Sequence, residues 1–215
     1  MYWIPDSLRW LAVGIGAVCL ITALVSIVEA LYMVWSSKVG KLRVRERLLD
    51  LVGLRGNERV LDVGCGRGLL LVAAARRLTT GKAVGVDIWN LEDQSGNGAE
   101  AAWRNARREG TEDRVDIKDG DARDLPFADG TFDVVISSLA VHNISDPGER
   151  TTAIREMMRV LKPGGRFAVL DFRHAREYAG TFERHGAADV RIDGPHWRMF
   201  PPVRIVNGIK PPAGA

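Results

Sequence analysis

The stretch Val60–Gly68, VLDVGCGRG, restricts this chain more than any other. An apolar run breaks into three glycines at alternate positions, which reads as a strand entering a tight turn. Strand patterns then recur at Arg59–Val63, Ala83–Asp87, Val115–Lys118, Phe132–Ser137, Arg166–Asp171, Asp189–Ile192 and Val203–Gly208. Helical patterns separate them, at Leu69–Leu78, Ala99–Glu109, Arg150–Leu161 and Glu177–His185, after a first at Lys41–Leu51. Strands alternating with helices specify a mostly parallel sheet wrapped on both faces. A chain of 215 residues is long enough for one such domain and something extra.

The extra element lies at the start. Leu11–Val28 contains 18 residues without a charge. As a helix it is roughly 27 Å long, close to the ~30 Å of a bilayer core. Trp10 and Trp35 flank it, where indole rings favour head groups. The reading is a transmembrane anchor, residues 1–37 with the span at about 10–35, followed by a globular domain, 38–215. The alternatives are a core helix and a cleaved signal peptide, but the apolar run is too long for the latter and lacks a small-x-small cleavage site. Lys38, Lys41, Arg43, Arg45 and Arg47 follow the span, so the positive-inside rule places the domain in the cytoplasm. The same cations suit anionic lipid or a solvated helix face. Thr22, Ser26 and Glu29 share one helix face; Glu29 either reaches toward head groups or joins a helix–helix contact. The pairs Ala12/Gly16 and Ser26/Ala30 permit helix pairing, and with it a homo-oligomer.

The composition excludes several classes. A net charge of +3 is too small to argue for nucleic acid. Two cysteines, Cys19 and Cys65, support no disulfide framework, and no metal site is expected.

The glycine turn selects a ligand. A dinucleotide site wants G-x-G-x-x-G with a helix N-terminus facing a pyrophosphate. Here Gly64 and Gly66 fit, position 69 is leucine, and Gly68 comes one residue early. Asp62 brings a carboxylate to the turn, which disfavours phosphate and favours a cation. A ligand with an adenosine end and a cationic amino-acid end fits, and S-adenosylmethionine is one. Glycines there let backbone and ligand approach closely. Asp87, 21 residues after Gly66, stands where an acid hydrogen-bonds ribose. Asp121, in DGDARDLPF after the third strand, is placed to accept from an adenine amino group.

These pieces, with AVGVDIW, GDARDLPFADGTFDVVISSLAVHNI and EMMRVLKPGGRFAVLDF, resemble the class I S-adenosylmethionine-dependent methyltransferases. The likeness is to the small-molecule branch that includes ubiquinone and menaquinone C-methyltransferases, and it runs from about Arg43 to Lys210. It implies a Rossmann-like, seven-stranded, mostly parallel sheet whose last strand is antiparallel. It implies that Asp62, Gly64, Cys65 and Gly66 surround the methionine part, with Gly68 completing the turn. Asp87 would hold the ribose, Ile88 the adenine face, Asp121 and Ala122 the adenine, and Ser137 would lie beside the sulfonium. The product would be S-adenosylhomocysteine.

For the acceptor, His142 in SLAVHNI is the best base candidate, since imidazole titrates near neutrality; a pocket wall is the equal alternative. His174 is a weaker candidate. The insertion IWNLEDQSGNGAE leaves the same end of the sheet, so Trp89, Gln94 and Asn97 either contact substrate or form a surface loop. The expected function is methylation of a small, lipophilic acceptor at the cytoplasmic membrane face. A protein or nucleic-acid methyltransferase ranks lower, because SSLA stands where the amino-methylating branch carries Asn/Asp-Pro-Pro-aromatic. A non-catalytic, cofactor-binding membrane module is the third reading.

Overall fold

A computed structural model describes residues 5–89, 98–212 and 214. Its seven strands are β1 (Arg59–Val63), β2 (Lys82–Asp87), β3 (Val115–Asp119), β4 (Phe132–Ser138), β5 (Leu161–Asp171), β6 (Ala188–His196) and β7 (Val203–Ile209). They form one sheet in the order β3-β2-β1-β4-β5-β7-β6. β1 to β5 pair in parallel, and β7 runs antiparallel to both β5 and β6. This is the expected Rossmann-like sheet with its final strand reversed.

The helices are α1 (Asp6–Trp35), α2 (Lys41–Val52), α3 (Leu69–Arg76), α4 (Ala99–Arg108), α5 (Pro147–Val160) and α6 (Ala175–Arg184). Strand side chains alternate between two cores, as a period of two requires. Val60, Val134, Ile136 and Leu170 pack with Leu48 and Leu49 of α2 and Leu71 and Ala74 of α3. Leu61, Val135, Phe167 and Val169 face the other way, onto Ile154 and Met157 of α5 and Tyr178 and Phe182 of α6. Both faces of the sheet are therefore covered.

Two boundaries differ from the sequence reading for clear reasons. α5 begins at Pro147, not Arg150, because the Asp146 carboxylate accepts the Glu149 N–H at 2.9 Å and caps the helix. β5 begins at Leu161, before the KPGG turn. There Leu161 pairs with Phe132 and the Gly164 N–H donates to the Lys210 carbonyl, with a register shift after Phe132.

The N-terminal helix is long and apolar enough to cross a membrane, by length and composition. Its best window has a mean hydropathy of 2.6, and none of that window is buried. That exposure argues against a core helix. A π turn, Ser36–Gly40, joins α1 to α2 without a break, so the expected boundary at residue 37 falls inside one continuous helix. Thr22 folds its hydroxyl back onto the Val18 carbonyl at 2.9 Å.

Candidate active site

Sheet order reverses at β1, whose neighbours are β2 and β4. In such sheets the crevice forms beyond the carboxyl ends of the strands at that point. A cavity of about 620 Å³ opens there, within the usual range for small-ligand sites.

Of the residues expected to bind cofactor, Asp62, Gly64, Cys65, Gly66, Asp87, Ile88, Asp121 and Ala122 all line this cavity. Asp62 closes its floor. The side chain is buried, and among the described residues neither carboxylate oxygen makes a well-formed hydrogen bond, the Leu71 backbone N–H being the one donor that favours its charged form. Burial, helped by the Asp87 charge, pushes its carboxyl up to about 8. A buried carboxylate without a well-formed hydrogen bond is costly, so it marks a place where a cationic donor belongs.

Asp87 is used differently. One oxygen accepts the Gly66 N–H at 2.8 Å and the other the Trp89 N–H at 2.7 Å. It thus ties the glycine turn to the end of β2 while remaining on the cavity wall. Asp121 is gripped by Arg123, whose Nη2 lies 2.6 Å from Oδ2 and whose backbone N–H donates to Oδ1 at 2.9 Å. The guanidinium holds the Asp121 carboxyl below the ordinary carboxylate range. Arg123 in turn reaches Glu149 at 2.6 Å.

The glycines have a more specific task than ligand approach. Gly64 has φ +71°, and a Cβ there would sit 2.2 Å from the Ala140 Cβ. It lets the β1 turn pack against the loop after β4. Gly68, at φ +81°, starts α3 and does not line the cavity. The Cys65 side chain turns toward Gly85, and burial pushes its thiol upward.

Several candidates are relocated. Ser137 is fully buried in β4 and donates its hydroxyl to the Val63 carbonyl at 2.8 Å. It holds β4 to β1, and the next residue, Ser138, faces the cavity instead, as strand alternation dictates. Trp89 does not line the cavity; its indole N–H donates to Asp119 at 2.5 Å. His174 caps α6 in the left-handed region, 3.2 Å from Glu177, and is also outside the cavity. Gln94 and Asn97 lie outside the described residues.

His142 does line the cavity. Its Nδ1 lies 2.9 Å from the buried Asp171, close enough to pair but without hydrogen-bond alignment. Its backbone N–H donates to the same carboxylate at 3.2 Å, and its ring meets Phe172 edge-on at 4.5 Å. The Tyr178 hydroxyl donates to Asp171 at 3.2 Å. Sequence reasoning missed this support. It also missed Lys41 and Arg45 of α2, and Met199 of the β6–β7 loop, which complete the wall. Lys41 and Arg45 were visible as cations; an α2 pitch that turns them toward the sheet was not. Burial lowers the Lys41 ammonium.

Comparison with known proteins agrees with this geometry. Residues 61–169, half of the chain, match the family described as "Methyltransferase domain". The chain is 36% identical over 130 residues to 27-O-demethylrifamycin SV methyltransferase of Amycolatopsis mediterranei, covering 60% of this chain and 44% of the relative. It is 40% identical over 118 residues to demethylmenaquinone methyltransferase of Symbiobacterium thermophilum, covering 54% and 43%. The matched region spans less than half the length of these curated relatives. A solved SAM-dependent methyltransferase from Aquifex aeolicus shares the fold, with a TM-score of 0.62 at 22% identity over 81% of this chain and 98% of that one. The fold and the site define the class, an S-adenosylmethionine-dependent methyltransferase domain. The chain belongs to the methyltransferase-domain family.

Proposed function

We propose that this chain transfers a methyl group from S-adenosylmethionine to a small, lipophilic acceptor at the cytoplasmic face of a membrane. The observation that carries it is a single cavity holding both His142 and Asp62, which lacks a well-formed hydrogen bond. When bound, the cofactor supplies an electrophilic methyl group. Asp62 takes its ammonium, Asp87 its ribose, and Ile88, Asp121 and Ala122 its adenine end. Asp121 stays engaged with Arg123, so its share in that contact is limited to lone pairs Arg123 leaves.

His142 acts as the general base for an acceptor that carries a proton. Asp171 beside Nδ1 favours a proton on that nitrogen, which leaves Nε2 to accept one from substrate. Tyr178 and the backbone N–H groups of His142 and Phe172 hold Asp171 in place.

Residues 1–37 act as the anchor and 38–215 as the methyltransferase domain. The lipophilic acceptor is supported by where the cavity lies, next to the end of the apolar helix. Lys41 and Met199 belong to segments at the foot of α1, so an acceptor leaving the bilayer has a short path. A named relative that methylates demethylmenaquinone is consistent with such a substrate. The test is mass spectrometry of membrane extracts incubated with the protein and methyl-labelled cofactor. Label should enter a lipid-soluble small molecule. Label confined to protein or nucleic acid, or no transfer at all, would contradict the reading.

A further inference from the structure

The loop between β6 and β7 carries two large aromatic side chains in water-accessible positions. Trp197 is 69% exposed and Phe200 is 54% exposed. A soluble domain gains nothing by this, and both residues stand against the end of the apolar helix. The Phe200 ring meets Tyr32 edge-on, with centroids 5.8 Å apart. Its backbone N–H donates to the buried Ser36 hydroxyl at 2.8 Å. The Tyr32 hydroxyl donates to the Trp197 carbonyl. Gly40 closes the contact, because a Cβ there would lie 1.7 Å from the Arg198 carbonyl oxygen. The loop is therefore held against the last turn of α1 through Tyr32 and against the π turn through Ser36 and Gly40.

Depth follows from this fastening. Tyr32 precedes Trp35 by three residues, about 4.5 Å nearer the middle of the helix. A side chain packed on Tyr32 shares its depth. Tyr32 and Trp35 stack at 6.3 Å, and with Phe200 they make three aromatic rings in contact at the end of α1, with the Trp197 backbone held beside them by the Tyr32 hydroxyl. Such rings partition to the interface between head groups and acyl chains. Exposed Arg198, Lys38 and Arg43 lie beside them in sequence, where head-group phosphates would meet them.

We propose that Trp197 and Phe200 insert into the bilayer interface and form a second membrane contact of the domain. This rests on α1 crossing the membrane. The consequence concerns the cavity. Met199, between the two inserted residues, is buried and lines it. One loop thus touches lipid on its outer side and the acceptor space on its inner side, which fixes the cavity mouth at the membrane surface.

The test uses full-length protein with Cys19→Ser, reconstituted in phospholipid vesicles; Cys65 is buried, and a buried thiol resists labelling. Nitroxide labels are attached after Trp197→Cys, Phe200→Cys, Val25→Cys and Glu109→Cys, made singly. Collision with oxygen, which concentrates in lipid, is compared with collision with a water-soluble nickel chelate. Labels at 197 and 200 should favour oxygen, as the label at 25 does, while the label at 109 favours nickel. Lipid at 25 with water at both 197 and 200 would overturn the proposal and leave the anchor standing. Water at 25 would overturn the span and the proposal together.

Discussion

The two ends of the cavity are built in different ways. The cofactor end comes from β1, β2 and β3 and the turns that directly follow them. Each of its residues lies within a few positions of a strand end, so one local pattern places it. The end we propose for the acceptor comes from α2, the loops after β4 and β5, and the β6–β7 loop, segments more than a hundred residues apart at the extremes. Most polar groups at the cofactor end are tied to their own backbone, as Asp87 is to Gly66 and Trp89. Among the described residues, Asp62 alone of its carboxylates has no well-formed hydrogen bond. A site that binds one fixed ligand can afford such a fixed, local construction. A site for a variable acceptor is assembled by tertiary packing.

If that contrast is right, variants at the two ends separate turnover from cofactor affinity. His142→Asn should lower kcat on the order of 100-fold, with the cofactor Kd within about threefold, read by steady-state kinetics and calorimetry. Turnover unchanged at every pH would remove the base assignment. Asp62→Asn should instead weaken cofactor binding by roughly 10- to 100-fold, the worth of a charged hydrogen bond. Asp87→Ala should weaken it by roughly tenfold, and should also loosen the glycine turn, seen as faster amide exchange at Gly66. The smallest effect belongs to Arg123→Ala, a change of less than about threefold in cofactor Kd, because Arg123, though on the cavity wall, is partly exposed and engaged by Asp121 and Glu149. A large loss there would place the guanidinium in the cofactor site.

Asp62 also gives a stability signature. Its folded-state carboxyl is raised to about 8, so the folded protein keeps a proton that the unfolded chain has released. This contribution therefore destabilises the apo protein progressively as pH rises from about 4 to about 8. Asp62→Asn removes it. Its melting temperature relative to the natural protein should climb across that range, and a difference independent of pH would contradict the burial account.

The same contrast explains what could be read without a structure. The sheet, its reversed last strand and the glycine turn at the end of β1 were legible because hydrophobic period and glycine position are local quantities. Ser137 was misplaced by one residue, and in a strand one residue moves a side chain to the opposite face, here from cavity to core. Trp89 follows Asp87 on the turn, yet its side chain is captured by Asp119 from β3, which no local pattern encodes. Asp171 and Tyr178 could not be paired with His142 from sequence, because β5 and α6 bring them together only once the sheet is assembled. Gly40 carried no visible signal either; its need is set by the Arg198 carbonyl, 158 positions away.

The most direct measurement is isothermal titration of S-adenosylmethionine into the full-length protein at pH 6.5, repeated in buffers of different ionisation enthalpy. An Asp62 carboxyl near 8 is protonated there before binding and must ionise to meet the cofactor's ammonium. The account predicts saturable binding with release of close to one proton, and loss of that release in Asp62→Asn. Absence of binding, or binding with no proton released and no dependence on Asp62, would contradict it.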